Sequence, residues 1–328
     1  MSKAGIRSVA VRSGSKPEVA CCARIPPSIA CALVRIPSKT CLIVSMNSLR
    51  LSELERLAAV LVTGARLELH LTPKPGLVDR LDNGSHPDLS FATMERSIAI
   101  VEAYLQATVA SLAAGEDFAA QNALGRQAEQ RLLDELGTNT HKGYIFLAGM
   151  LLIARWHAPS GAVSDLRASL SSLCRDFFSR PRDGETHGER ARRLYHAGGI
   201  VREASDGYPA LFEHGLPAFR AAREKNGSLL NASFAMMARL MQTVDDTTML
   251  HRAGPGGLAR MVADGRWLQV QIADGGNARP FLETANRNYV AANMTMGGVA
   301  DMLGLGYGVL IAAGELSEDD VAALLSAA

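Results

Sequence analysis

The stretch SELERLAAVLVTGARLEL, Ser52 to Leu69, decides the fold class. Ser52 with Glu55 three residues on forms a capping-box pattern, and apolar residues follow at helical spacing until Pro73 stops the run. The same period returns in residues 88–114, 118–137, 142–156, 163–179, 231–252 and 297–314. It closes in 317–328, where Ser317 and Asp320 repeat the cap pattern. Two-residue alternation of β-branched residues is scarce. RWLQVQIAD, Arg266 to Asp274, is the best strand candidate, and one short apolar run cannot be told from helix by pattern alone. The chain therefore reads as all-α, a single multi-helix bundle or array domain.

Its 328 residues, 48% of them hydrophobic, suffice for a substantial core. Net charge is uneven. Residues 1–45 hold seven Lys/Arg against Glu18 alone, so this leader carries +6 and leaves −5 on residues 46–328. An acidic body argues against nonspecific nucleic-acid binding, which needs clustered cations. Four of the five cysteines lie in the leader, and the body keeps only Cys174, which suits a reducing, cytoplasmic setting rather than a disulfide scaffold. Arg24, Pro26, Pro27, Arg35 and Pro37 interrupt the leader, so neither a secretory signal nor a membrane span fits it; residues 1–45 read as a disordered or spurious extension, and 46–328 as the domain. GYIFLAGMLLIA, Gly143 to Ala154, is too short to cross a bilayer and reads as a buried helix.

Chemistry concentrates between the helices. In TPKPGLVD, Thr72 to Asp79, flanking prolines restrict the backbone of Lys74 and pre-order a cation for an anion; the plain alternative is a helix-terminating turn. DNGSHPDLS places Asp82, His86 and Asp88 around a turn into a helix, where an acid is commonly only a cap. GTNTHKGYIF sets His141 and Lys142 at a helix start, a good phosphate site without being a Walker loop. Phe234, Met237, Met241, Val244 and Thr248 form a core-facing stripe, with Asp245 and Asp246 beside it near the end of a helix. Carboxylates there oppose the helix dipole unless a cation such as Mg²⁺ joins them, and Arg252 shares a face with Asp245. Gly297 and Gly298 ahead of Asp301 permit close approach to a ligand, or tight helix packing.

Taken in order, TPKPGLVD, GSHPDL, NTHKG, GGIVREASDGYP, DDTTMLHR and GGVADML resemble the signatures of the triphosphoribosyl-dephospho-CoA synthase family across residues 52–313. The resemblance implies an all-helical enzyme joining ATP to 3'-dephospho-CoA, with release of adenine and transfer of triphosphoribose to the ribose 2'-hydroxyl. The product would be the precursor of an acyl carrier protein prosthetic group, as in citrate lyase or malonate decarboxylase, with a downstream prosthetic-group transferase as a partner. It implies that Lys74, His141, Lys142 and Arg252 hold the triphosphate and that Asp245 and Asp246 carry Mg²⁺. Gly297, Gly298 and Asp301 are the candidate substrate contacts, Asp79 or Asp88 the candidate base, and His86 the candidate proton donor to adenine. This chain departs from the family pattern at Thr248, where Asn is usual, at Leu89, at Met296, and in HRAGPGG. Two alternatives stand beside it: an Mg-dependent nucleotide N-glycoside hydrolase, and a noncatalytic helical nucleotide-binding relative.

Overall fold

Polar side chains at helix starts set many of the element boundaries. Ser90 accepts the Thr93 amide at the head of α2 (Phe91–Ala113), and Asp117 the Ala120 amide at the head of α3 (Phe118–Leu136). Ser228 does the same for α9 (Leu229–Thr243), Asp246 for α10 (Thr247–Ala273), and Ser317 with Asp320 forms a true capping box on α13 (Glu318–Ser326). The remaining elements are α1 (Ser38–His70), α4 (Lys142–His157), α5 (Val163–Ser179), α6 (His187–Tyr195), α7 (Gly199–Ser205), a π-helical turn (Ala210–Gly215), α8 (Leu216–Asn226), α11 (Arg279–Ala291) and α12 (Gly297–Ala312).

The computed structural model describes residues 38–158, 160–180 and 187–327, and no strand occurs among them. The chain divides into two compact units, Met1–Val44 and Ser45–Ala328, and the second carries every element from α2 onward. Of the expected extension over residues 1–45, positions 1–37 lie outside the described residues, while 38–45 belong to α1.

Two expectations need correcting. Ser52 does not start a helix: α1 is already formed at Ser38, and the Ser52 hydroxyl donates back to Ser48 O at 3.1 Å, as a serine within a helix can. The strand candidate at Arg266–Asp274 is the second half of α10, ending at Ala273. Met261, Gly265, Leu268 and Ile272 are buried there at three- and four-residue intervals, while Trp267 and Val270 face solvent. Burial thus follows the helical period, and the apparent alternation does not.

Helices α4 and α12 form the centre. Residues Tyr144 to Ala154 of α4 are buried except Phe146, and α12 is buried through Met302 to Gly308, as expected of helices apolar on every face. Around α12 pack α4, α9 and α10. Nothing is long and apolar enough among the described helices to cross a membrane. Where α1 crosses α12 the backbones nearly touch: a Cβ on Gly64 would lie 2.2 Å from Gly304 O and 2.7 Å from Gly308 N. The long connection after α1 is fastened to the far end of the chain. Gly76 N–H donates to Asn286 Oδ1 at 2.8 Å, Asn286 Nδ2 to Asp82 Oδ2 at 2.7 Å, and Ser85 Oγ to Met294 O at 2.5 Å.

Gly64→Val should force these helices apart and destabilise the fold by about 1–3 kcal/mol, seen as a lower urea midpoint. Gly256, whose Cβ would meet nothing within 4 Å, provides the contrast: Gly256→Ala should be neutral or stabilise by up to about 1 kcal/mol.

Candidate active site

The structural key is Asp246, 1% exposed. Its Oδ1 accepts the Thr248 and Met249 amides, both at 2.9 Å, and its Oδ2 accepts the Val299 amide at 3.1 Å. One carboxylate therefore caps α10 and also holds the first turn of α12. The chain breaks helix at Val244–Asp246 to allow this, so the aspartate pair stands before a helix start, where the dipole favours negative charge. That reverses the expected placement near a helix C-terminus. Asp245 points the other way, its Oδ2 accepting Gly198 N–H at 2.9 Å and Arg202 Nη2 at 2.7 Å.

Beside this junction lies a cleft of about 850 Å³. Its walls include Lys142 and Gly143 from the start of α4, Thr247 and Thr248 from the start of α10, and Gly297 and Gly298 from the start of α12. Three helix N-termini thus present amide-rich, dipole-positive ends to one cavity, an arrangement suited to phosphate oxygens. Of the residues singled out in the sequence, His86, Asp88, Lys142, Asp245, Asp246, Arg252, Gly297, Gly298 and Asp301 line this cleft. His141 lines an adjoining chamber of about 70 Å³ that shares His86, Gly297 and Asp301 with it.

Lys74 and Asp79 line neither space. Lys74 is fully buried; its ammonium donates to the backbone carbonyl of Glu68 and to Glu68 Oε1, the latter at 2.5 Å. The proline-flanked lysine is therefore matched to an internal carboxylate rather than held open for a triphosphate. Glu68 is itself a chamber-wall residue, and burial pushes its carboxyl up against the opposing pull of Lys74. Asp79 organises the turn: Oδ2 accepts the Lys74 amide at 2.9 Å and Oδ1 the Leu81 amide at 2.8 Å. With both oxygens engaged and 3% exposure, it has no access to a substrate hydroxyl in the cleft.

Arg252 does not pair with Asp245. Its Nη1 donates to Ser85 O at 2.6 Å and Asn293 Oδ1 at 3.1 Å, and its Nη2 reaches His86 Nδ1 at 3.2 Å. Burial, then the Arg252 charge, lowers the His86 pKa to about 4. At neutral pH the imidazole is uncharged, accepting from Arg252 through Nδ1 and donating through Nε2 to Thr295 Oγ1 at 2.9 Å. An imidazole so committed is a better positioning element than proton source. His141 is held similarly near 4, by burial and then by Lys74, with Nδ1 against Ser97 Oγ at 2.5 Å.

Asp301 stands where cleft and chamber meet. Burial, Asp246 and Glu68 all raise its pKa, opposed by the Tyr144 amide. Gly143 makes room for it, since a Cβ there would fall 2.0 Å from Asp301 Oδ2. The glycine of NTHKG thus has a steric reason. Asp88 borders the cleft, its Oδ2 accepting from Thr138 Oγ1 at 3.1 Å.

Sequence reasoning passed over Glu68, Glu203, Thr247 and Thr295, all in the walls of these two spaces. Glu203 had a signal: it is the carboxylate at the centre of GGIVREASDGYP. As to a metal, the described residues contain no group of three or more His, Cys, Asp or Glu arranged to hold one. Both Asp246 oxygens serve amides, whereas Oδ1 of Asp245, a residue 31% exposed at its side chain, remains for a ligand. A single carboxylate is a sufficient protein donor for Mg²⁺ when phosphate and water complete the shell.

The family model for ATP:dephospho-CoA triphosphoribosyl transferase (CitG) matches residues 54–319. A Pseudomonas putida protein described as a probable 2-(5''-triphosphoribosyl)-3'-dephosphocoenzyme-A synthase is 35% identical over 266 residues, covering 77% of this chain and 93% of its own. Proteins of the same description from Stutzerimonas stutzeri (34% over 265 residues, 77% of this chain and 90% of theirs) and Pseudomonas paraeruginosa (36% over 263 residues, 76% and 88%) are similar too. No solved structure matches the chain.

Lys74→Met strands Glu68 in the interior and should destabilise the protein by about 3–5 kcal/mol, measured by urea denaturation. A wild-type midpoint combined with weakened ATP binding would instead return Lys74 to the phosphate contacts.

Proposed function

The chain belongs to the ATP:dephospho-CoA triphosphoribosyl transferase family, and on that premise we propose that it transfers the triphosphoribosyl group of ATP to the 2'-hydroxyl of 3'-dephospho-CoA and releases adenine. The observation that carries this reading is the meeting of the α4, α10 and α12 N-termini on one cleft of about 850 Å³, within the size range of small-molecule and cofactor pockets. The triphosphate is retained through the reaction, so its binding energy is available to hold the sugar in place. Lys142 and the amides of Gly143 and Thr247 are the groups for its oxygens, with Arg252 bracing the wall behind them.

Breaking the bond from C1' to the base develops positive charge on the ribose ring. Carboxylates stabilise such charge in glycoside cleavage. Asp301, Asp88 and Asp245 border the same space. Mg²⁺ entering with ATP would supply charge neutralisation on the triphosphate, with Asp245 as its protein donor. His86 and Arg252 fix the loop at Ser85–His86 against Thr295 and Asn293, which keeps that wall of the sugar site in register. The proposed product is the precursor of an acyl carrier protein prosthetic group, so a prosthetic-group transferase is the expected consumer.

Incubation with ATP, Mg²⁺ and dephospho-CoA should release adenine in step with a triphosphoribosyl adduct detectable by mass. Adenine appearing at the same rate without dephospho-CoA would instead establish a hydrolase, and no adenine under either condition a binding protein. Lys142 is 46% exposed at its side chain and, among the described residues, pairs with Glu129 at 2.8 Å. Lys142→Ala should therefore raise the ATP KM on the order of tenfold, about 1.4 kcal/mol, with an unchanged melting temperature.

A further inference from the structure

The transfer needs a group to take the proton of the attacking hydroxyl, and the two carboxylates expected for this are poorly placed. Asp79 is enclosed, and Asp88 is solvent-exposed with an oxygen on Thr138. A further carboxylate borders the cleft from α7: Glu203.

Its setting is built with care for backbone conformation. After α7 the chain passes through Gly207 (φ 74) and Tyr208 (φ 56), both in the left-handed region that a tyrosine rarely adopts. Tyr208 is held there because its hydroxyl donates to Leu147 O at 2.9 Å in the core of α4. The reversal returns the chain so that Ala210, at the head of the π-helical turn, donates its amide to Glu203 Oε1 at 2.8 Å. Arg167 fastens the same turn, donating to Gly207 O at 3.0 Å and pairing with Glu213. One carboxylate oxygen is thereby anchored, and the other has no hydrogen-bond partner among the described residues.

We propose that Glu203 is the catalytic base of the transfer, taking the proton of the acceptor 2'-hydroxyl on its Oε2 as that oxygen bonds to C1' of the triphosphoribosyl group. The assignment rests on the function proposed above. The bond from C1' to adenine N9 breaks, the bond from the 2'-oxygen to C1' forms, and adenine leaves with one proton while Glu203 returns one to solvent; no further reactant is needed. Burial, the largest influence, raises the Glu203 pKa to about 7 against the Ala210 amide and Arg202, with Asp206 and Glu213 adding to the rise. Tyr208 lies beside it, and Lys142 and His251 face the same cleft. A base with that affinity both holds and releases a proton at neutral pH.

The test is Glu203→Gln in the full chain, because a glutamine carbonyl can still accept the Ala210 amide. Expected are a fall in kcat on the order of 10²–10⁴-fold, loss of the wild-type rise in rate through pH about 7, and unchanged melting temperature and ATP affinity by calorimetry. Glu203→Asp should recover part of the rate with the pH dependence restored. An active wild type whose Glu203→Gln variant keeps its kcat and pH profile overturns the assignment alone, as does a variant that loses ATP binding in proportion to rate. A wild type that makes no adduct overturns the function on which the assignment rests, and the assignment with it.

Discussion

A single carboxylate, Asp246, decides how two helices begin and therefore where the cleft's positive ends point. Its two oxygens take amides from the first turns of both α10 and α12, groups that would otherwise be orphaned where the helices meet. Burial raises its pKa, and these backbone donors oppose the shift. Such an arrangement is specific to a carboxylate: an amide side chain would bring a donor face to a place that offers only donors. The helix ends it joins line the cleft, so the staple and the cleft wall are parts of one construction.

Around it the charged residues divide by depth. Lys74 pairs with Glu68 of the chamber wall and gives its amide to Asp79, and His141, in the same wall, is bonded to Ser97. Nearer the opening, Lys142, Asp245 and Glu203 keep part of their surface towards the cleft. The deep layer gives shape and a low-dielectric floor, which strengthens whatever electrostatic contacts are made above it. Neutral imidazoles fit that picture, since His86 and His141 are both disfavoured as cations by burial.

The helical class was legible because burial repeats every three to four residues over long spans, and most loops announced themselves through Gly, Pro and charge. Three things were hidden. The break at Val244–Asp246 was masked because the apolar stripe from Phe234 continues in phase through Val244, so periodicity alone joined two helices. The partner of Lys74 lies six residues earlier, on the last turn of α1, and only the folded turn brings the two together. Glu203 was obscured by its short helix, where no period can develop and the decisive feature is a left-handed Tyr208. Site residues at helix starts were the easiest to find, since the local signal and the functional position coincide there; those whose role depends on a distant segment were not.

The bend in α10 at Gly254 and Pro255, where Gly254 takes φ 65 and ψ −167, acts as an elbow between two obligations. The forearm starts in the cleft wall at Thr247, while the upper arm through Leu268 and Ile272 answers to the hydrophobic interior. Because the joint separates the two halves, the packing of the second does not dictate the direction of the first, which Asp246 sets.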